Sequence, residues 1–145
     1  DKATHVLLLA DDMIFPRDVV HRLFAHGKRC VAINMRLKRI QSEDFASIDM
    51  EGNSLTSVGK TGLEEVTSMS PAIMLLDADV LRKCPPPRFE VLWNKERSRY
   101  VGEDRYFCDK IRAHGEQIFI DHDLSHKCGH VGKIVYTSDG VLVNG

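Results

Sequence analysis

The sequence predicts one α/β domain, and three observations carry that prediction. The chain has 145 residues, the size of a single domain with a core of its own. Hydrophobic residues make up 43% and charged residues 28%, a balance that excludes a disordered chain. A short apolar run, a stretch at helical spacing and a second apolar run follow one another within about 30 residues. That is the pattern of a βαβ unit, which favours a parallel sheet with a right-handed crossover.

His5 to Ala10 is an apolar run that stops at Asp11 and Asp12, and it reads as a fully buried strand. Pro16 suits the first turn of a helix. Val19, Val20, Leu23 and Phe24 recur at helical spacing, and Gly27 supplies the stop. Cys30 to Met35 is the second buried strand. From Arg36 to Glu65 the pattern weakens into polar residues punctuated by Gly52, Gly59 and Gly62. That stretch reads as a long loop with a short hairpin, and a loop of that length is usually functional. Glu65 to Ser70 and Ala72 to Leu76 look like a strand interrupted or bent at Pro71. Asp77 can cap a short helix through Leu81 to Lys83, which Pro85-Pro86-Pro87 ends.

Phe89 to Val101 mixes aromatic and basic residues. Gly102-Glu103-Asp104 then opens a helix whose apolar face is Tyr106, Phe107, Cys108 and Ile111, and Gly115 ends it. Gln117 to Asp121 reads as the last strand. A histidine-rich loop from Asp121 to His130 follows, and the tail after Ile134 reads as peripheral. The chain opens on Asp1-Lys2-Ala3-Thr4 directly before a strand and reads as one entered partway through.

Composition narrows the function. Twenty basic side chains face 21 acidic ones, net −1, so bulk charge argues for neither nucleic acid nor an anionic membrane. The longest apolar run, Val6 to Ala10, is far too short to span a bilayer. Cys30, Cys84, Cys108 and Cys128 form no CxxC pair, and the expectation is reduced, mostly buried thiols in a cytoplasmic protein.

Three constellations can carry chemistry. Asp11-Asp12 follows a strand, where α/β sheets bind ligands. Adjacent carboxylates there favour a hard divalent cation such as Mg²⁺ or Mn²⁺ that also takes phosphates. The plain alternative is one aspartate capping the next helix and the other solvated. Glu103-Asp104 stands at a helix start, where acids favour the dipole, or where one serves as a general base. His122, His126, Cys128 and His130 crowd a short loop. Four-ligand zinc lacks a distant CxxC to complete it, and one histidine serving a metal held mainly by Asp12 is more economical.

In order, these segments resemble the GT-A glycosyltransferases, family-2-like ones of bacteria and phages in particular. Leu8 to Pro16 resembles the strand-DxDM-x-F-P segment. Gly62 to Val66 and Ala72 to Leu76 look like that group's acceptor-side strands. Gly102-Glu103-Asp104-Arg105-Tyr106-Phe107-Cys108 is similar to its GED-x-x-F-C motif. Gly115 to Asp121 looks like its G-x-x-I-x-x-D segment, and Gly129-His130-Val131-Gly132 resembles its GHxG end. The first aspartate of the DxD falls on Ala10, with Asp11 in the middle position.

The resemblance implies a GT-A-like mixed sheet flanked by helices, truncated at the N-terminus before the half that holds the nucleotide base. It divides the single partial domain into residues 4–35, the βαβ unit with the acidic motif; 66–132, the acceptor and catalytic part; and 133–145, the tail. It implies transfer of a sugar from a nucleotide-diphosphate sugar to a saccharide or other hydroxyl acceptor, with Mn²⁺ or Mg²⁺ on the diphosphate. Asp12, with Asp11 beside it, would hold the metal, and His130 would be a second metal or diphosphate contact. Asp104, with Glu103 beside it, would be the base on the acceptor hydroxyl. Trp93 would stack on an acceptor sugar, although ordinary packing explains a tryptophan there equally well. An incomplete sheet leaves an edge that invites pairing between chains, so a homodimer or swapped assembly is expected. Two other readings compete: a non-catalytic GT-A-like remnant or binding module, and a receiver-like phospho-signalling domain with Asp49 as phosphoacceptor.

Overall fold

Residues 30–33 alternate between two hydrophobic cores at the middle of a five-stranded mixed sheet. Cys30 and Ala32 face one core, and Val31 and Ile33 face the other, as the two-residue period of a strand requires. The computed structural model describes residues 3–38, 44–96, 98–132 and 134–143, with backbone only for 134–136 and 141–143.

The elements run β1 (His5–Leu9), β2 (Met13–Ile14), α1 (Val19–Ala25), β3 (Cys30–Ala32), β4 (Leu63–Val66), β5 (Ile73–Asp77) and α2 (Ala78–Lys83). They continue with β6 (Leu92–Asn94), β7 (Arg99–Val101), α3 (Glu103–Ala113), β8 (Ile118–Asp121), α4 (His122–Ser125), β9 (Gly129–His130), β10 (Ile134–Thr137) and β11 (Gly140–Val143). The main sheet has the order β1-β5-β3-β8-β4. Only β3 and β8 pair in parallel; β5 runs antiparallel to both β1 and β3, and β4 runs antiparallel to β8.

The expected βαβ unit is therefore present in direction but not in adjacency. β1 and β3 point the same way, with β5 inserted between them. β1 lies at the sheet edge and is only half-buried, Leu9 being 45% exposed, where a fully buried strand is expected. Among the described residues its outer edge pairs with no strand.

Pro71 does more than bend one strand. It separates β4 from β5, which lie apart in the sheet, because a proline removes a ladder donor. Pro16 lies ahead of α1 and not within its first turn; its carbonyl accepts from Val19 N at 3.1 Å. The expected stops hold. Gly27 takes φ 60° after α1, Asp77 accepts from Asp79 N at the start of α2, and Gly115 takes φ 85° after α3. The long loop crosses itself through bridges of Arg36 with Phe45 and of Ile48 with Ser54 and Ser68. Residues 39–43 within it lie outside the described residues.

The two faces of the sheet have separate cores. Phe107, Cys108 and Ile111 of α3 pack with Val80 of α2 against Met74, Leu76, Ile118 and Ile120. Val19 and Leu23 of α1 pack with Leu124 of α4 against Val31, Ile73 and Leu75. Arg29 ties the sheet's end together by pairing with both Asp77 and Glu116.

The tail departs most from expectation. It is a β10–β11 hairpin that joins β9 and β2 in a second sheet of order β11-β10-β9-β2. The β-branched and aromatic run Ile134-Val135-Tyr136-Thr137 suits a pleated strand better than a loop. β8 is consequently not the last strand, and positions 133, 144 and 145 of the tail lie outside the described residues.

All four cysteines are free and buried. Burial pushes the thiols of Cys30 and Cys128 up to about 12 and that of Cys108 up to about 11. A thiolate is the reactive form, so a disulfide reagent at pH 8 is expected to leave the native chain unlabelled. It should label all four thiols after denaturation, and rapid labelling of the folded protein would contradict this packing. No helix among the described residues is long and apolar enough to cross a membrane.

Candidate functional site

Strand β1 ends at Leu9, and the amide of the next residue, Ala10, donates to Ala72 O at 2.8 Å. That bond places the Asp11-Asp12 turn beside the start of β5. The chain then enters β2, which pairs antiparallel with β9, Met13 lying opposite His130. Val131 N donates to Asp12 O at 2.7 Å and locks the crossing. Two distant segments thus meet through backbone pairing, and their side chains follow. His130 Nε2 lies 3.0 Å from Asp12 Oδ2, and Lys38 Nζ lies 2.5 Å from the same oxygen. The Lys38 hydrogen bond holds the Asp12 carboxyl below its ordinary value, with His130 adding to the effect against a burial penalty.

α3 brings up the other half. Its first residues are Glu103, which is exposed, and Asp104, which is half-buried. Burial raises the Asp104 carboxyl above its ordinary value. A hydrogen bond from Ser70 opposes the rise, and the neighbouring Glu103 charge adds to it. Phe89 stacks on Phe107 of the same helix at 4.5 Å between ring centroids.

These residues share one cleft of about 600 Å³. Its wall includes Asp12, His130, Glu103, Asp104, Ser70 and Phe89. A second cleft of about 680 Å³ runs under the β6–β7 hairpin and also reaches Asp104, Ser70 and Met35. The raised carboxyl of Asp104 therefore stands where two clefts meet.

Asp11 is exposed in the turn and is not part of either cleft wall. Trp93 is 51% exposed on β6 and packs edge-on against Tyr100 at 5.0 Å. It is not on either wall, whereas Tyr100 lines the larger cleft.

The donor set does not fit the Mn²⁺ or Mg²⁺ expected on Asp12, Asp11 and His130. Among the described residues no group of three histidine, cysteine or acidic side chains is placed to hold a metal. The Asp12 oxygen nearest His130 already carries an ammonium group. Both His130 nitrogens face acceptors, Asp12 Oδ2 at 3.0 Å and Arg36 O at 3.3 Å. Both ring nitrogens are thus already engaged by protein atoms, and Asp12 and His130 together supply two ligand residues and not three.

The remaining histidines serve the fold. His122 is buried, with Nδ1 2.8 Å from Ser57 Oγ and Nε2 3.0 Å from Glu64 Oε2. Ser57 itself is fully buried, so this trio fixes α4 to the loop. His126 contacts Lys60 O at 3.0 Å and Asp139 at 2.6 Å. Asp49 accepts from Glu51 N at 3.0 Å and from Asn53 N at 2.7 Å in an exposed turn, a place set by local backbone and not by the end of a buried strand.

The buried His122 and the part-buried His126 give opposite pH dependences. Burial pushes the His122 ring below its ordinary value, against the pull of Glu64. Its contribution to stability is full above the unfolded pKa, about 6.5, and is lost as pH falls towards the folded value. Burial also opposes His126, but the Lys60 carbonyl and Asp139 outweigh it and raise that ring. Its contribution is full below about 6.5 and is lost as pH rises through the folded value. His122→Gln is therefore expected to destabilise most at pH 8, and His126→Asn most at pH 5.5. Denaturant midpoints at the two pH values measure both, and equal penalties at both would contradict the assignment.

No family model matches the chain, and no curated protein matches it. Among solved structures, A197 from STIV, a viral protein, is similar over 98% of this chain with a TM-score of 0.66 and 15% sequence identity. The likeness is one of fold. This chain spans 66% of the length of A197. A mixed five-stranded sheet with flanking helices is thus an architecture shared with that viral protein.

Sequence reasoning missed Ser70 on the cleft wall, and Lys38 and Arg36, which contact Asp12 and His130. Lys38 sits in a polar loop with no motif around it, and Arg36 reads as an ordinary loop cation. Arg36 is in fact 9% exposed, donates to Thr137 O, and has an Nε without a partner among the described residues.

Proposed function

We propose that the chain is a glycosyltransferase domain, or part of one, that transfers a sugar from a nucleotide-diphosphate sugar to an acceptor hydroxyl. The observation that carries this reading is the shared cleft. Asp12 and His130, 118 positions apart, touch each other there, and Asp104 stands on the same wall. These are the positions that the GT-A resemblance names for the diphosphate and for the base.

The chemistry needs an acceptor proton removed as the new glycosidic bond forms and the diphosphate leaves. Asp104 suits the first task. Burial holds its carboxyl above the ordinary value, closer to the working pH at which a general base is most effective. It faces two clefts, so donor and acceptor have separate approaches to one carboxylate. The larger cleft, with Tyr100, Asn94 and Arg99 on its wall, suits a polar acceptor with an apolar face, as a saccharide has.

Calorimetric titration of UDP and GDP into the purified chain tests the reading. Binding of one of them is expected, and His130→Ala should weaken it by loosening Asp12. Absence of binding to either nucleotide would leave the remnant reading in its place.

A further inference from the structure

We infer that Lys38 is the cation that receives the diphosphate in this cleft, in the role a divalent ion would otherwise take. The inference rests on the nucleotide-diphosphate reading for the identity of the ligand. The geometry at Asp12 carries it.

A diphosphate bound in a cleft needs positive charge or N–H donors directed at its oxygens. A metal is one source, but the donor set here does not complete a metal site. The alternative is already in place. Lys38 Nζ is held 2.5 Å from Oδ2 of Asp12, a residue that lines the cleft, and its side chain is 35% exposed. An ammonium group has three donors. One is spent on Asp12, and the others remain to meet phosphate oxygens.

Asp12 is then a positioning residue and not a ligand. It fixes the end of a flexible side chain, and His130 holds the same Asp12 oxygen at 3.0 Å. His130 is itself braced at Nδ1 by the Arg36 carbonyl. Asp12 is paired with both Lys38 and His130.

The test is calorimetric titration of UDP, GDP and inorganic pyrophosphate in EDTA, and of Mn²⁺ alone, into the wild-type chain, Lys38→Met and Lys38→Arg. Binding in EDTA is expected. Lys38→Met should weaken it about tenfold to a hundredfold, the loss of one charge-assisted contact, and Lys38→Arg should restore most of it. Added Mn²⁺ should not strengthen it, and Mn²⁺ alone should not bind stoichiometrically. Three results would overturn the inference: nucleotide binding that needs Mn²⁺, stoichiometric Mn²⁺ binding that Asp12→Ala removes, or a Lys38→Met chain that binds like wild type. Pyrophosphate binding through Lys38 without UDP or GDP binding would support the cation and overturn the transferase reading. No binding of any anion would overturn both.

Discussion

Asp104→Asn is expected to abolish sugar transfer while leaving the fold and nucleotide binding intact. The substitution keeps the size of the side chain and an oxygen for Ser70 to donate to, but removes the base. Loss of a positioned general base costs about 10²–10⁴-fold in rate. The pH profile supplies a second readout. The wild-type rate should fall as pH drops through the Asp104 pKa, and burial places that limb above the ordinary aspartate value. Glu103→Gln should move the limb downward, because the Glu103 charge helps to raise Asp104. An Asp104→Asn chain with wild-type turnover would remove the residue from the mechanism.

Phe107→Ala is expected to cost about 3–5 kcal/mol, the usual penalty for emptying a buried aromatic site. Phe107 is fully buried, stacks on Phe89 and packs in the core shared by α2, α3 and the sheet. It lies one turn after Asp104 on α3, so its packing also holds the base at the cleft. Denaturant unfolding measures the loss. A penalty under about 1 kcal/mol would mean that the site can collapse around the gap and that α3 is not anchored there.

Helices α1, α2 and α3 and most strands of the main sheet were legible in the sequence where the signal was local, whereas α4 falls where a histidine-rich loop was expected. Asp77 capping α2, Gly27 and Gly115 ending helices, and the alternation from Cys30 to Ile33 all act through neighbouring residues. Pairing order was not legible. Nothing in Ile73 to Asp77 says that this strand inserts between β1 and β3, because partner choice depends on the whole sheet. The tail was misread for a similar reason: a short hairpin gains its stability only from β9 and β2 beside it.

The site divides along the same line. Asp12, His130, Glu103 and Asp104 stood out by residue type and place, and the fold gathers them in one cleft. Asp11 stood out by type alone. Consecutive side chains diverge along the chain, and only Asp12 turns to His130 and Lys38. Lys38 carried no signal, since one lysine in a polar loop looks like any other until a contact across 26 positions places it.

The account makes one structural commitment that a single measurement can meet directly: where a nucleoside diphosphate binds. A crystal structure of the chain soaked with UDP or GDP is expected to show the diphosphate against Lys38, in the cleft walled by Asp12, His130 and Asp104. Nucleotide seated elsewhere on the chain, with this cleft empty, would contradict the account.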